Sequence, residues 1–258
     1  MLKISNILQG GLGNYLFQIA AGYAAALRQN KKYIGSLYGL QTGHSHISTY
    51  FDNILRNINF IDTPITNHGY NEPQFNYNQI PNFDFDVILM GYYQSEKYFL
   101  DFKKEIQDLF KINEKDNEYL LDKYGDFKNS CSINVRRGDF LKIQNYHQVQ
   151  PIEYYKNAIA LLNKPNLKYF IISDDIEWCK QNFNFVDNVI FVEGNKDYQD
   201  LYLVSKCGDN IICSSTFGWW GAWLNENSDK TVICPNKWFG SDFTQMFDDI
   251  FPEGWIKI

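Results

Sequence analysis

CSINVRRGDF, residues 131–140, decides how the rest of the chain is read. Cys131, Ile133 and Val135 alternate with small polar residues, the period-two pattern of a buried strand. The run then ends in two consecutive arginines, a glycine and an aspartate. Adjacent guanidiniums at the C-terminal end of a strand repel each other, so an anion is expected to neutralise them. In an open α/β sheet that edge is also where ligands bind. Gly138 lets the backbone turn sharply, and Asp139 either orients an arginine or accepts a proton. A solvated strand end with a weak surface ion pair fits these four residues equally well, so their surroundings decide.

Downstream, Pro151 opens an amphipathic helix bearing Tyr154, Tyr155, Ile159 and Leu162. A strand over 168–172 ends in Ser173-Asp174-Asp175, again acids at a C-terminal strand edge. Ser173 or Asp174 is expected to cap the next helix, leaving the other carboxylate to accept two donors from a guanine ring. A strand over 188–192, a helix over 197–206 and a strand over 210–213 continue the rhythm. It predicts a parallel sheet with helices on its faces. The second informative edge is Ser214-Ser215-Thr216, followed by FGWWGAWL. Three hydroxyls between a strand end and a helix start suit a phosphate, because orphan N–H groups and the helix dipole point there. One of them is expected to be an ordinary cap. Trp219 and Trp223 share a helix face, Trp220 points elsewhere, and core packing is the expectation for all three. A last strand over 231–234 precedes Trp238, Phe239 and Trp255, which tie down the tail.

Upstream, a strand over 3–8 runs into Gly10-Gly11-Leu12-Gly13-Asn14, and apolar residues then recur at helical spacing to about Arg28. Strand, glycine turn and helix are the geometry in which backbone N–H groups meet an anion or a sugar; a plain tight turn has the same look. A second strand is predicted over 32–37, and loops with short elements over 38–82. His44, His46 and His68 fall there with no acidic or thiol pattern to complete a ligand set, so they read as solvated loop residues. Asp84 and Asp86 form a D-x-D, which can hold a divalent metal against a nucleotide diphosphate, but they precede the strand over 87–90 instead of following it. Ser95 is predicted to cap a helix running through Phe110, and a charged helix follows to Tyr124. The polar stretch 125–129 marks the expected boundary between domains 1–125 and 126–258.

A chain of 258 residues with 45% hydrophobic residues can build a sizeable core. Its net charge of -6 argues against a nucleic-acid partner. Five cysteines, with no C-x-x-C, are expected as buried free thiols in a reducing compartment. No apolar stretch is long enough to span a bilayer, and residues 1–9 lack a signal peptide's pattern.

Five stretches, GGLGNYLFQIAAGYA, GYYQSEKYF, SINVRRGDF, SDDIEWCK and IICSSTFGWWGAWL, together resemble the α-1,2-fucosyltransferases, in family order over residues 6–225. The resemblance implies an α/β fold of two Rossmann-like halves facing a cleft, the GT-B type, with the acceptor side in 1–125 and the GDP-sugar side in 126–258. It implies transfer of L-fucose from GDP-fucose to the 2-hydroxyl of a terminal galactose on a glycan, with inversion, no essential metal and no cofactor beyond the donor. Arg136 would clamp the β-phosphate and Arg137 would hold the loop or share the charge. Ser214, Ser215 and Thr216 would cover the pyrophosphate, and Asp174 or Asp175 would read guanine. Asn14, with Gly11 and Gly13, would reach across from the other half. The family usually has His where this chain has Asn134, and Gln where it has Tyr15; Asn134 still hydrogen-bonds but does not titrate near neutral pH.

The base expected to deprotonate the acceptor is Asp139, which could equally be a structural partner of Arg136; Glu153 is the other candidate. A bacterial, cytoplasmic enzyme is expected, in peripheral contact with the inner face of a membrane carrying lipid-linked glycans. Two rivals remain: a metal-dependent sugar transferase using Asp84 and Asp86, and a non-catalytic GDP-sugar- or glycan-binding module.

Overall fold

A computed structural model describes residues 1–42 and 46–258. The chain divides into two compact units, residues 1–113 with 245–252 and residues 114–244 with 253–258.

In the first unit β1 (Lys3–Asn6), α1 (Leu12–Arg28), β2 (Lys32–Tyr33), β3 (Gly69–Asn71), β4 (Val87–Met90) and α2 (Lys103–Leu109) follow in chain order. The strands form a wholly parallel sheet in the order β2-β1-β4-β3. Of the series Leu16, Phe17, Ala20, Ala24 and Leu27 that sets the helical spacing, the first four are completely buried, whereas Leu27, in the last turn, is 38% exposed. The single strand predicted over 32–37 is instead two. Lys32–Tyr33 pairs with β1, whereas Gly35–Ser36 pairs with Phe60–Ile61 in a separate two-stranded sheet. The helix predicted from Ser95 through Phe110 is also broken. Ser95 accepts from Lys97 N at 3.3 Å and caps one 3₁₀ turn, a second turn follows, and only then does α2 begin. The loop-rich stretch after residue 38 hides β3, a strand too short to show a period.

The second unit carries α3 (Glu114–Tyr124), β5 (Ser130–Val135), α4 (Ile152–Leu162), β6 (Lys168–Ser173), α5 (Ile176–Asn182), β7 (Val189–Phe191), α6 (Asp197–Lys206), β8 (Asp209–Ile211), α7 (Thr216–Leu224), β9 (Val232–Cys234) and β10 (Ile256–Lys257). Its sheet runs β7-β6-β5-β8-β9-β10, all parallel, so β5 is a central strand. All six residues of β5 are buried, as expected of a sheet covered on both faces. Its polar members are satisfied internally; Ser132 Oγ accepts from Asn210 Nδ2 at 2.8 Å. All five cysteines are free and buried. Trp219, Trp220 and Trp223 are core residues, and Trp255 packs on Trp219 at 5.6 Å, tying β10 to the body.

The division between units comes earlier than the turn at 125–129. Helix α3 is bound to the second unit by Gln199 Nε2, which donates to Asp116 Oδ1 at 2.7 Å, and by Tyr119, whose hydroxyl donates to Asn195 Oδ1 at 3.0 Å. Residues 245–252 return to the first unit, where Asp249 pairs with Lys97 at 2.5 Å and accepts from Tyr77 N at 3.0 Å. Among the described residues, no helix is long and apolar enough to cross a membrane.

Candidate active site

In a parallel sheet every strand delivers its C-terminal end to one edge. In the second unit that edge collects residues 136–139 after β5, 174–175 after β6 and 214–216 after β8. Arg136 pairs with Asp139 at 2.6 Å and with Asp174 at 3.1 Å, and its guanidinium lies 5.2 Å from the Phe140 ring centre. Arg137 Nε pairs with Asp175 at 3.1 Å, and its guanidinium carbon lies 3.8 Å above the Trp178 ring. Asp174 Oδ1 also accepts from Arg137 N at 2.9 Å. Three carboxylates therefore pair with the two arginines, and Asp139 is the partner of Arg136 that the sequence allowed. Phe140 stacks on His147 at 4.3 Å; burial holds that imidazole below its ordinary pKa, against the pull of Asp139.

The helix cap after β6 is Asp175, not Ser173 or Asp174. Asp175 accepts from Trp178 N, and Ser173 Oγ accepts from Asp175 N. Neither carboxylate is thus left wholly to a base edge. The hydroxyls after β8 also depart from expectation. Ser214 is buried, accepts from Gln150 Nε2 at 2.8 Å and donates to the Lys237 carbonyl at 3.1 Å. Ser215 occupies the N-cap position of α7 but makes no side-chain cap bond, so no hydroxyl there caps the helix in the ordinary way. Thr216 is the first residue of α7 and is part-exposed. Asn134 is only 4% exposed. Burial pushes the Cys213 thiol up to about 12, so it stays protonated and donates to Asn134 Oδ1 at 3.1 Å.

The C-terminal edge of the first unit's sheet gathers a second polar group. Gly10 takes a φ of +89°, in the region that favours glycine, and turns the chain into α1. Gln18 secures this turn by accepting from Gln9 N at 3.0 Å and donating to the Gln9 carbonyl at 3.2 Å. Gly11 stands at the N-cap of α1, and Gly13 is buried inside the first turn. Asn14 Oδ1 accepts from Gln94 Nε2 at 2.9 Å, joining the first two sequence motifs. Tyr15 is fully buried. Sequence reasoning missed Glu72, one residue past β3, which accepts from Tyr92 N, Tyr93 N and the Tyr98 hydroxyl. No motif announced it; only the register of β3 beside β4 places it there.

The remaining candidates lie elsewhere. Asp84 and Asp86 stand at the N-terminal edge of the first sheet, where Asp86 accepts from Lys3 N at 2.8 Å. Glu153 is in the first turn of α4, exposed, with Lys156 at 3.8 Å. His46 accepts from Ser48 N and His68 contacts Thr66 and Phe85; His44 lies outside the described residues. Among the described residues, no three His, Cys, Asp or Glu side chains cluster as metal ligands.

The Glycosyl transferase family 11 model matches residues 44–258. An Escherichia coli alpha-1,2-colitosyltransferase is 32% identical, over 97% of this chain and 97% of its own. The Escherichia coli O-antigen biosynthesis glycosyltransferase WbnK is 30% identical, over 91% of this chain and 94% of its own. Among solved structures, NodZ alpha-1,6-fucosyltransferase soaked with GDP-fucose aligns with a TM-score of 0.57 at 15% identity, over 86% of this chain and 92% of that one. That likeness shows a shared fold, and with parallel α/β units in both halves the fold is the GT-B type.

Proposed function

We propose, for a chain that belongs to glycosyl transferase family 11, that it moves a 6-deoxy-L-hexose, L-fucose first, from a GDP-linked donor to the 2-hydroxyl of a terminal galactose. The transfer inverts the anomeric centre and uses no metal. The carrying observation is that one sheet edge joins the Arg136–Arg137 cluster to the start of α7, whose Ser215 leaves the helix end without a side-chain cap. Guanidiniums and helix N–H groups are the donors a diphosphate takes.

As the sugar leaves, negative charge grows on the β-phosphate and positive charge on the ring. Arg136 and the α7 N–H groups stabilise the departing GDP in the place a metal would occupy. Arg137, clamped between Asp175 and Trp178, holds the loop. Asp174 or Asp175 reads the guanine edge, Ser214 keeps the loop before α7 in place, and Thr216 lies beside the phosphates. When a phosphate oxygen takes over the Arg136 donor now held by Asp139, that carboxylate is released to accept the acceptor's proton. The acceptor is a galactose-terminated glycan, bound with the help of Asn14. The reaction is placed, as part of this proposal, in the cytoplasm at the inner face of a bacterial membrane; the Escherichia coli relatives support the bacterial setting.

A second reading gives the donor as GDP-colitose, favoured by the relative that is 32% identical over nearly the whole chain. Colitose is fucose without its 3-hydroxyl, so the two donors differ by one hydrogen-bonding group. Incubation with each donor and a panel of galactosides in excess EDTA, with NMR of the product, tests both readings. An α-1,2-linked fucosyl product is expected. Preference for GDP-colitose selects the second reading. Activity restored only by Mn²⁺ or Mg²⁺ promotes Asp84 and Asp86, and binding without turnover leaves a GDP-sugar- or glycan-binding module.

A further inference from the structure

We propose that Glu72 is a positioning residue: its carboxylate gathers the turn after β4 and thereby seats Gln94 on Asn14. Glu72 follows β3, and its own N–H donates to the Met90 carbonyl at 2.7 Å, which locks it beside the end of β4. Its Oε2 accepts from Tyr92 N at 2.8 Å and Tyr93 N at 3.0 Å, and its Oε1 from Tyr93 N at 3.1 Å and the Tyr98 hydroxyl at 3.3 Å. Tyr98 in turn accepts from Asn78 N at 3.2 Å, which anchors the acid from the other side.

The turn is not one the backbone adopts by itself. Gly91 has a φ of +150°, and a Cβ there would collide with the Glu72 side chain. Tyr93 is fully buried with a φ of +53°, a region that bulky residues rarely enter. Such a conformation persists only where its surroundings over-determine it, and here two consecutive N–H groups converge on one carboxylate. The residue delivered next is Gln94, whose amide meets Asn14 at the glycine turn.

Glu72 accepts from three donors, Tyr92 N, Tyr93 N and the Tyr98 hydroxyl, of the about four a carboxylate can take. With both of its oxygens engaged by this turn, its part is to place Gln94 and Asn14 instead of touching a substrate. Burial holds its carboxyl at about 6 in spite of those donors, and it is ionised at neutral pH. Of the charged residues on the turn that follows, Lys97 pairs with Asp249. The Tyr93 and Tyr98 phenols lie beside Glu72, with Tyr70 next to them.

The kinetic part of this inference rests on the sugar-transfer reading; the structural part does not. Intact wild type, Glu72→Gln, Glu72→Asp and Gln94→Ala are compared at pH 7.5. In Glu72→Gln an amide oxygen at the Oε2 position still faces both N–H groups but carries no charge, and the NH₂ at Oε1 cannot accept from Tyr98, so the strength of at least one charge-assisted hydrogen bond is lost. Hydrogen exchange in the peptide covering 91–94 should rise about tenfold in Glu72→Gln, the worth of one such bond, while the second unit's peptides stay as they are. Unchanged protection of that peptide overturns the proposal, whether or not any transfer is measured.

In steady-state transfer, acceptor KM should rise about tenfold in Glu72→Gln and in Gln94→Ala, with donor KM within about twofold. The double variant should be no worse than the poorer single one, since both act on one contact. Fully additive effects, or a loss of kcat alone, overturn the route through Gln94. Glu72→Asp keeps the charge but withdraws the oxygens by one methylene. It should show the same exchange pattern more weakly, and it decides the matter should the amide variant fail to fold. Absence of transfer in the wild type counts against the sugar-transfer reading, while the exchange experiment still judges Glu72.

Discussion

Asn134 and Gly218 are a fitted pair: a Cβ on Gly218 of α7 would collide with Asn134 Oδ1, at the C-terminal end of β5. This contact sets how closely the helix that begins at Thr216 approaches the strand that ends in the two arginines.

Gly218→Ala is therefore expected to lower stability by about 1–3 kcal/mol, the range for overfilling a packed site. Asn134→His, which restores the residue usual in the resembled family, should do the same here, because the larger ring enters a position only 4% exposed. Urea unfolding checks both; midpoints like wild type would show that α7 is not seated by this pair.

Arg136→Lys should cut kcat by roughly 10- to 100-fold, with a smaller rise in donor KM, because a charged hydrogen bond of about 1.5–3 kcal/mol is lost as phosphate charge grows. Arg137 is bound to Asp175 and stacked on Trp178. Its lysine variant should mainly lose stability, on the order of 1 kcal/mol. Steady-state kinetics beside thermal unfolding separates the two; near-wild-type kcat for Arg136→Lys would reduce the cluster to a structural ion pair.

GDP should raise the melting temperature clearly more than UDP at the same concentration, if Asp174 or Asp175 reads the guanine edge. A polar site rejects a base that leaves its groups unpaired. Equal shifts would mean that only the phosphates are recognised.

Asp200, which accepts from Asn195 Nδ2 at 2.8 Å, is raised by burial from 3.8 to about 6. Its folded state thus binds the proton more readily than the unfolded chain does. The stability it contributes is full below pH 3.8 and is lost as pH rises through 6, to at most about 3 kcal/mol. Asp200→Asn removes that loss. The variant's melting temperature relative to wild type should be higher at pH 7 than at pH 4.5; a difference independent of pH would show that Asp200 ionises freely in the fold.

The local pattern was sufficient wherever the chemistry is consecutive. The period-two run into Arg136–Arg137, the helical spacing after Asn14 and the strand–helix alternation from 130 to 234 each name their element, because buried parallel strands and amphipathic helices leave apolar periods in the chain. From these the sequence by itself determined an α/β chain with polar groups at strand ends. It did not reveal partnership between distant residues. Asp174 reads as a helix cap and a guanine ligand, yet it serves Arg136 and the Arg137 N–H, because the register of β6 beside β5 sets residues 174 and 136 side by side. Glu72 reads as one acid in a loop. Only the parallel pairing of β3 with β4 turns it into the clamp on Tyr92 and Tyr93. Hydrogen bonds between residues far apart in sequence leave no period behind, so the pairing of Asp174 and Asp175 with the arginines and the seating of Gln94 on Asn14 were decided by tertiary structure alone.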